Sequence, residues 1–176
     1  MIKVFSLLVL LPLFAFFQSK PPEPLDGPNR PFNDDLLDNL QGQWKLKGNI
    51  AGHPAEAELE AAWVLNHQFL KVHEKATTPI PGRPLYEADV YIGYDNASER
   101  YVAHWIDIYG GRFSETIGFG ARSGNNIKFV FEYPDGPFHN TFSWNAGSKS
   151  WRLLLEQKND AGKWGVFSDR TAVKVK

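Results

Sequence analysis

The segment His104-Trp105-Ile106-Asp107 carries the side chains best suited to chemistry in this sequence of 176 residues. In a β-strand, His104 and Ile106 would share one face, and Trp105 and Asp107 the other. One of the two polar side chains would then face the interior of the fold, where it needs a hydrogen-bonding partner. We expect it either to join a satisfied internal network or turn cap, or to anchor a ligand inside an aromatic cavity.

Glu115 is the second candidate polar group. It lies between two apolar residues of the same strand parity, which favours either an inward carboxylate paired with an arginine or a charge at the rim. Together with an internal His104 or Asp107, it would supply the acid and base groups of an enzyme. This enzyme hypothesis requires the groups to lie within hydrogen-bonding reach of one another.

Several other classes of chemistry find no support in the sequence. There is no cysteine, so disulfides, thiolate metal sites and cysteine nucleophiles are excluded. The five histidines form no His-Glu-x-x-His motif, and no Gly-x-Ser-x-Gly motif is present. The net charge is −1 and the basic residues are scattered among acids, which argues against a nucleic-acid partner. We therefore predict no catalytic residue, no metal site and no cofactor.

Turn-forming residues recur at short intervals and divide the chain into ten segments rich in β-branched and aromatic residues. Period-two patterns are visible, as in Ile127, Phe129, Phe131 and Tyr133. The predicted strands cover residues 43–50, 56–65, 68–76, 85–93, 100–108, 112–121, 126–133, 138–144, 150–158 and 163–174. No crossover helix separates them, so consecutive strands must run antiparallel.

Closure of these strands into a barrel would remove both sheet edges and cover one apolar face. We therefore predict an all-β fold, an antiparallel up-and-down β-barrel of about ten strands, with a two-sheet sandwich as the alternative. One short helix is predicted before the first strand. Asn33 would cap this helix, Leu36, Leu37 and Leu40 would form its apolar face, and a glycine would end it.

The amino-terminal residues predict a cellular location. Residues 1–17 combine one early lysine with an almost wholly apolar run that is too short for a comfortable membrane span. We predict a signal peptide at residues 1–19, a Pro-rich tether at 20–32 and a barrel domain at 33–176. The protein would be exported to the periplasm or the extracellular space, with no stable membrane span after cleavage; an uncleaved anchor is the alternative.

Short motifs resemble a known superfamily. Gly42-Gln43-Trp44 after a short helix resembles the opening of calycin-type barrels, the lipocalin and fatty-acid-binding-protein superfamily, in which the Trp closes the barrel floor. The segments at residues 63–70, 92–95 and 101–107 resemble a family of uncharacterised, often exported bacterial proteins with lipocalin-like barrels. A more distant resemblance links the chain to the ten-stranded, haem-binding nitrobindins, whose haem-ligating histidine is not assigned to any histidine of this sequence. The resemblance implies a lipocalin-like fold and export of the protein, and it implies no common reaction.

We therefore predict a non-catalytic protein that binds a small apolar or amphipathic ligand inside the barrel. Aromatic content of 14% supplies the material for a cavity lining. The candidate lining residues are Trp63, Tyr91, His104, Trp105, Asp107, Glu115, Phe129, Phe131, Phe142 and Trp144. An enzyme with internal acid and base groups, and an interaction module with a filled barrel, are the alternatives.

Overall fold

The computed structural model describes residues 31–159 and 161–175. These residues form one antiparallel sheet of ten strands, closed into a barrel. The strands are β1 (Gly42–Ile50), β2 (His53–Val64), β3 (Phe69–Ala76), β4 (Glu87–Asp95), β5 (Arg100–Asp107), β6 (Ile117–Ser123), β7 (Asn126–Tyr133), β8 (Gly136–Asn145), β9 (Ser150–Lys158) and β10 (Trp164–Lys174). The prediction of an all-β, antiparallel barrel of about ten strands is confirmed.

Each strand pairs with its neighbours in the chain, and the barrel closes where β1 pairs with β10. The strand order around the barrel is β1-β10-β9-β8-β7-β6-β5-β4-β3-β2. A meander whose last strand bonds to its first has no free edge, which excludes the alternative of two packed sheets. Consecutive antiparallel strands also need only the short connections that the turn-forming residues supply.

The start of the domain differs from the predicted helix. A single 3₁₀ turn, Leu37–Leu40, takes its place. Asp34, rather than Asn33, caps this turn, because its Oδ1 accepts hydrogen bonds from the backbone N–H groups of Leu36 at 3.0 Å and Leu37 at 2.8 Å. The leucines of this segment point into the end of the barrel, so packing against the strands takes precedence over further helical turns.

The barrel end next to the 3₁₀ turn is filled with side chains. Leu36, Leu37 and Leu40 are buried there, and Trp44 Nε1 donates a hydrogen bond to the Leu40 carbonyl oxygen at 2.7 Å. Inward residues of the strands complete the packing, the largest being Trp151, Phe129, Phe142, Leu46, Leu59, Leu70, Ile92 and Ile127. The period-two patterns thus become one continuous apolar core at this end.

Two glycines in β6 leave room for aromatic rings inside the barrel. A Cβ atom placed on Gly118 would lie 2.5 Å from the ring of Phe131, and one on Gly120 would lie 2.7 Å from the ring of Phe129. Neither distance is sterically acceptable, so β6 contributes bare backbone where β7 contributes large rings. This complementarity explains why two inward positions of a strand lack side chains.

The predicted sixth strand begins later than expected. Residues 111–114 form a single helical turn, α1 (Gly111–Ser114), and β6 starts at Ile117 rather than at residue 112. Gly110 has a φ of 81°, a left-handed conformation that turns the chain away from the sheet. The predicted strand was wrong over its first residues because this glycine pair ends β5 and starts a turn of its own.

The late start of β6 shortens its ladder with β5. Residues 101–104 of β5 pair with residues 117–120 of β6, whereas on the opposite side β5 pairs with β4 along its whole length. Beyond this ladder, α1 packs against β5, and His104 Nε2 donates a hydrogen bond to the Ser114 carbonyl oxygen at 2.6 Å. The wall of the barrel at residues 105–107 is therefore closed on one side by α1 instead of by a strand.

The predicted signal peptide, residues 1–19, and residues 20–30 of the predicted tether lie outside the described residues. Phe32, which the sequence analysis assigns to the tether, packs against the filled end of the barrel. Its ring stacks on Tyr94 and meets Trp63 edge-on, each at a centroid distance of 5.6 Å. Its backbone N–H also donates to the His67 carbonyl oxygen at 2.9 Å, so Phe32 is part of the ordered domain.

Candidate functional site

The open end of the barrel holds a cavity of about 450 Å³. Its walls include the aromatic side chains of Tyr86, Trp105, Phe131, Tyr133, Phe138 and Phe167. Below it lies the filled half of the barrel, so the interior is packed at one end and hollow at the other. A volume of this size suits a small organic molecule.

A buried ion pair forms the floor of the cavity. Glu74 on β3 and Arg170 on β10 are each 3% exposed in their side chains. Arg170 Nη1 donates to Glu74 Oε1, Nη2 donates to Oε2 at 3.1 Å, and Nε donates to Ser168 Oγ at 3.0 Å. This two-pronged pairing satisfies both carboxylate oxygens and cancels the two charges, which is what burial of an ion pair requires.

Asn140 adds a polar group without a partner to the cavity lining. It is 2% exposed and lies on the inward face of β8, between Phe138 and Phe142. Its Oδ1 makes no hydrogen bond within the described residues. Among the described residues, the other buried side-chain atom without a hydrogen-bonding partner is Trp151 Nε1, which lies in the filled half of the barrel. An unpaired buried acceptor costs about 1–3 kcal/mol, so a ligand that donated to Asn140 would remove a real penalty.

A hydrogen-bonded chain of three side chains stands on the cavity wall. Trp105 Nε1 donates to the Tyr86 hydroxyl at 2.7 Å, and that hydroxyl donates to Asp107 Oδ2 at 3.2 Å. Burial, followed by the negative charges of Glu74 and Asp107, raises the pKa of Tyr86 well above its ordinary value. The hydroxyl therefore stays protonated and keeps its donor role, which fixes the position of the Trp105 ring.

Stacked rings form the adjoining wall. Phe131 and Tyr133 are nearly parallel, with a centroid distance of 5.8 Å and an interplanar angle of 7°. Burial, followed by the charge of Asp107, raises the pKa of Tyr133 to about 12. Phe138 meets Phe167 edge-on across the next part of the lining at 5.4 Å. The aromatic rings of this wall are therefore uncharged at neutral pH.

The mouth of the cavity carries charges of both signs. Arg112 Nη2 lies 3.1 Å from Asp135 Oδ2, and both side chains are exposed. The Arg83 guanidinium lies 5.9 Å from the centroid of the Phe167 ring. Exposed charges of this kind affect how a ligand approaches far more than how tightly it is held.

Three of the residues predicted from the sequence line the cavity: Trp105, Asp107 and Phe131. Along β5, Trp105 and Asp107 face the interior of the barrel, and His104 faces the outside. Of the two polar residues His104 and Asp107, it is therefore Asp107 that points inward. Phe129 and Phe142 also point into the barrel, but they lie in the filled half, edge-on to each other with a centroid distance of 6.0 Å. Both are packed core residues outside the cavity lining.

Tyr91, His104 and Glu115 do not line the cavity. Tyr91 pairs with His104 across β4 and β5 on the outer face of the barrel, where its ring lies 5.8 Å from the Lys71 ammonium group. Glu115 follows α1 and is exposed. The structure therefore places His104 and Glu115 apart from the interior carboxylate of Asp107, and it does not assemble the acid–base group that the enzyme hypothesis requires.

Trp63 and Trp144 belong to the filled end of the barrel. Trp63 Nε1 donates to Asp38 Oδ1 at 2.9 Å, and its ring stacks on that of His67 at 4.1 Å. Trp144 packs against Trp151, with a ring-centroid distance of 5.3 Å. Both side chains help to close the end of the barrel opposite the cavity.

The polar residues of the floor are not among those predicted from the sequence. Glu74 continues the inward series Leu70 and Val72, and an acid on such an apolar face is a recognisable signal. Arg170 has the same parity as Ser168 and Ala172, and is the corresponding base among small residues. An inward acid and an inward base on different strands predict a buried pair only when the register is known.

Among the described residues, no group of three or more His, Asp and Glu side chains lies close enough to hold a metal ion. In the same part of the chain, no helix has the length and apolar character needed to cross a membrane.

Fold and site together define an antiparallel β-barrel with an internal cavity, open at one end and closed by a polar floor. The chain belongs to the family described as Protein of unknown function (DUF1579), whose model matches residues 33–166. The resemblance to an uncharacterised family is thereby confirmed. No curated protein matches the chain.

Proposed function

We propose that this protein is an exported, calycin-like barrel that binds one small apolar or amphipathic molecule in its cavity and catalyses no reaction on it. The observation that carries the proposal is the cavity of about 450 Å³, with aromatic walls above a polar floor. Such a site buries the apolar body of a ligand and fixes one polar end. Export to the periplasm or the extracellular space rests on the composition of residues 1–17.

Two further observations support the proposal. The inner carboxylates of the cavity are both engaged, Glu74 by Arg170 and Asp107 by Tyr86, which suits a structural or orienting role better than proton transfer. The buried Trp44 at the filled end, bonded to the backbone of the 3₁₀ turn, is in the place that the calycin resemblance implies for it.

Binding can be measured with N-phenyl-1-naphthylamine, an uncharged apolar dye whose fluorescence rises in an apolar site. We expect saturable binding with one molecule per chain. Ala55 lines the cavity on β2, and Ala62 is an exposed residue of the same strand. The Ala55→Phe variant should weaken dye binding at least tenfold by filling the cavity, and the matched Ala62→Phe variant should bind as the unaltered protein does.

Circular dichroism and thermal unfolding would verify that both variants fold. If Ala55→Phe does not fold, Ala76→Phe replaces it, because Ala76 also lines the cavity and is less completely buried than Ala55. Absence of saturable dye binding, or equal binding by the inner and outer variants, would contradict the proposal.

A further inference from the structure

Resting on the proposed function, we infer that the ligand enters with an uncharged polar end that carries both a hydrogen-bond donor and an acceptor, as a primary amide does. This end lies on the floor formed by Glu74, Arg170, Ser168 and Asn140. A carboxylate or an ammonium group is rejected there. The apolar body of the ligand then lies between the aromatic walls.

The charge of the floor excludes an ionised end. Glu74 and Arg170 neutralise each other through two hydrogen bonds within the cavity lining. A carboxylate placed on the floor would meet the Glu74 carboxylate and an arginine that is already paired. An ammonium group would be repelled by Arg170 and would meet a Glu74 carboxylate that is already paired. Neither charge would find an unpaired counterion, and burial of an unpaired charge is strongly unfavourable.

The hydrogen-bonding capacity of the floor suits a neutral end. Asn140 Oδ1 is a buried acceptor without a partner in the described residues, so it takes an N–H or O–H group. Ser168 Oγ accepts from Arg170 Nε, which leaves the Ser168 hydroxyl hydrogen to donate. Arg170 carries five N–H groups and uses three of them in the bonds described, which leaves further donors. One acceptor beside several donors is the complement of an amide.

The walls above the floor carry the Asp107 carboxylate, whose two oxygens already accept hydrogen bonds from the Tyr86 hydroxyl and the Tyr109 backbone N–H. Trp105 and Phe131 are apolar there, and the Tyr86 hydroxyl stays engaged with Asp107. The charged side chains that remain, such as Arg83 and Arg112, are exposed at the mouth. A carboxylate ligand would therefore have to bind in the reverse orientation, with its head at the mouth and its tail on the polar floor.

The experiment compares three probes with the same alkyl chain, decanamide, decanoate and decylamine, as competitors of the naphthylamine dye at pH 7. We expect decanamide to displace the dye at a concentration at least tenfold lower than either charged probe. The measured quantity is the ratio of inhibition constants within each variant, so a change in dye affinity does not affect it.

Two variants test the assignment to the floor. Asn140→Leu removes the unpaired amide oxygen, and we expect the tenfold advantage of decanamide over decanoate to fall below threefold. Glu74→Gln leaves Arg170 without its counterion, and we expect decanoate to become the preferred competitor and to raise the melting temperature of this variant more than decanamide does. If Glu74→Gln does not fold, the Asn140→Leu result decides alone.

The possible outcomes distinguish a failure of the proposed function from a failure of the inference that the ligand has a neutral end. If the dye does not bind, the proposed function fails and the inference fails with it. If the dye binds and decanoate competes as well as decanamide, the cavity binds ligands but the inference of a neutral end is overturned. Decanamide binding that is insensitive to Asn140→Leu would also overturn it, because it would show that the amide end does not lie on the floor.

Discussion

The buried ion pair on the cavity floor predicts a large loss of stability when its acid is removed. Glu74→Gln keeps the size of the side chain but replaces one carboxylate oxygen by an NH₂ group that faces the N–H donors of Arg170. Both partners are 3% exposed, so water does not compensate the guanidinium charge. We expect the free energy of unfolding to fall by about 3–5 kcal/mol, as for other buried pairs that lose one partner.

The measurement is urea denaturation followed by tryptophan fluorescence, and the chain provides a matched control. Arg152 and Asp169 form an ion pair with two hydrogen bonds of 2.8 Å, but their side chains are 52% and 43% exposed. Asp169→Asn should therefore cost about 0.2–1 kcal/mol. The double variant Glu74→Gln/Arg170→Met, which removes both charges, should be more stable than Glu74→Gln alone.

Equal losses in Glu74→Gln and Asp169→Asn would refute this reasoning, because they would mean that water in the cavity solvates Arg170 as bulk water solvates a surface arginine. A double variant less stable than Glu74→Gln would refute it as well, since it would show that the unpaired charge is not the source of the loss.

Two further predictions concern the filled end and the stacked wall. Asp34→Ala removes the acceptor of two backbone N–H groups and of the Tyr101 hydroxyl, and should lower the free energy of unfolding in urea by about 1–3 kcal/mol. The control Tyr101→Phe removes only the hydroxyl and should cost less; equal losses would contradict the capping role. The pKa of Tyr133 is raised from 10.0 to about 12, so the stability that its protonated form contributes is complete below pH 10 and is lost as the pH rises towards 12. Tyr133→Phe should therefore lose less stability over that interval in denaturation measurements, and identical pH slopes for the two proteins would contradict the raised pKa.

Much of the fold could be predicted from the spacing of turns and the alternation of side chains. The sequence predicts ten strands, and ten occur in the described residues, because each connection is marked by Gly, Pro, Asn or Asp and each strand carries an apolar face. The two errors lie where local signals compete with packing. The leucines before β1 plug the barrel instead of extending a helix, and Gly110 turns the chain out of the sheet before β6 begins.

The site was less predictable, because alternation divides residues into two faces without saying which is inside. His104 and Trp105 carry equally informative side chains, and only the register of β5 against its neighbours places Trp105 within. The sequence also does not show where along the barrel axis a residue lies, in the filled half or beside the cavity. Phe129 and Phe131 share one face of β7, yet one belongs to the core and the other to the cavity. The Glu74–Arg170 pair joins residues 96 positions apart, which closure of the barrel brings together.

The short ladder between β5 and β6 has a consequence for how a ligand would enter and leave. At residues 105–107 the cavity wall has strand hydrogen bonds on its β4 side, while α1 covers the side where β6 has not yet begun. Local opening free energies are lowest where few backbone bonds must break. A swing of α1 away from β5 would therefore uncover the cavity sideways while the filled end stayed intact. Exchange of ligand and global unfolding would then be separate events with separate rates.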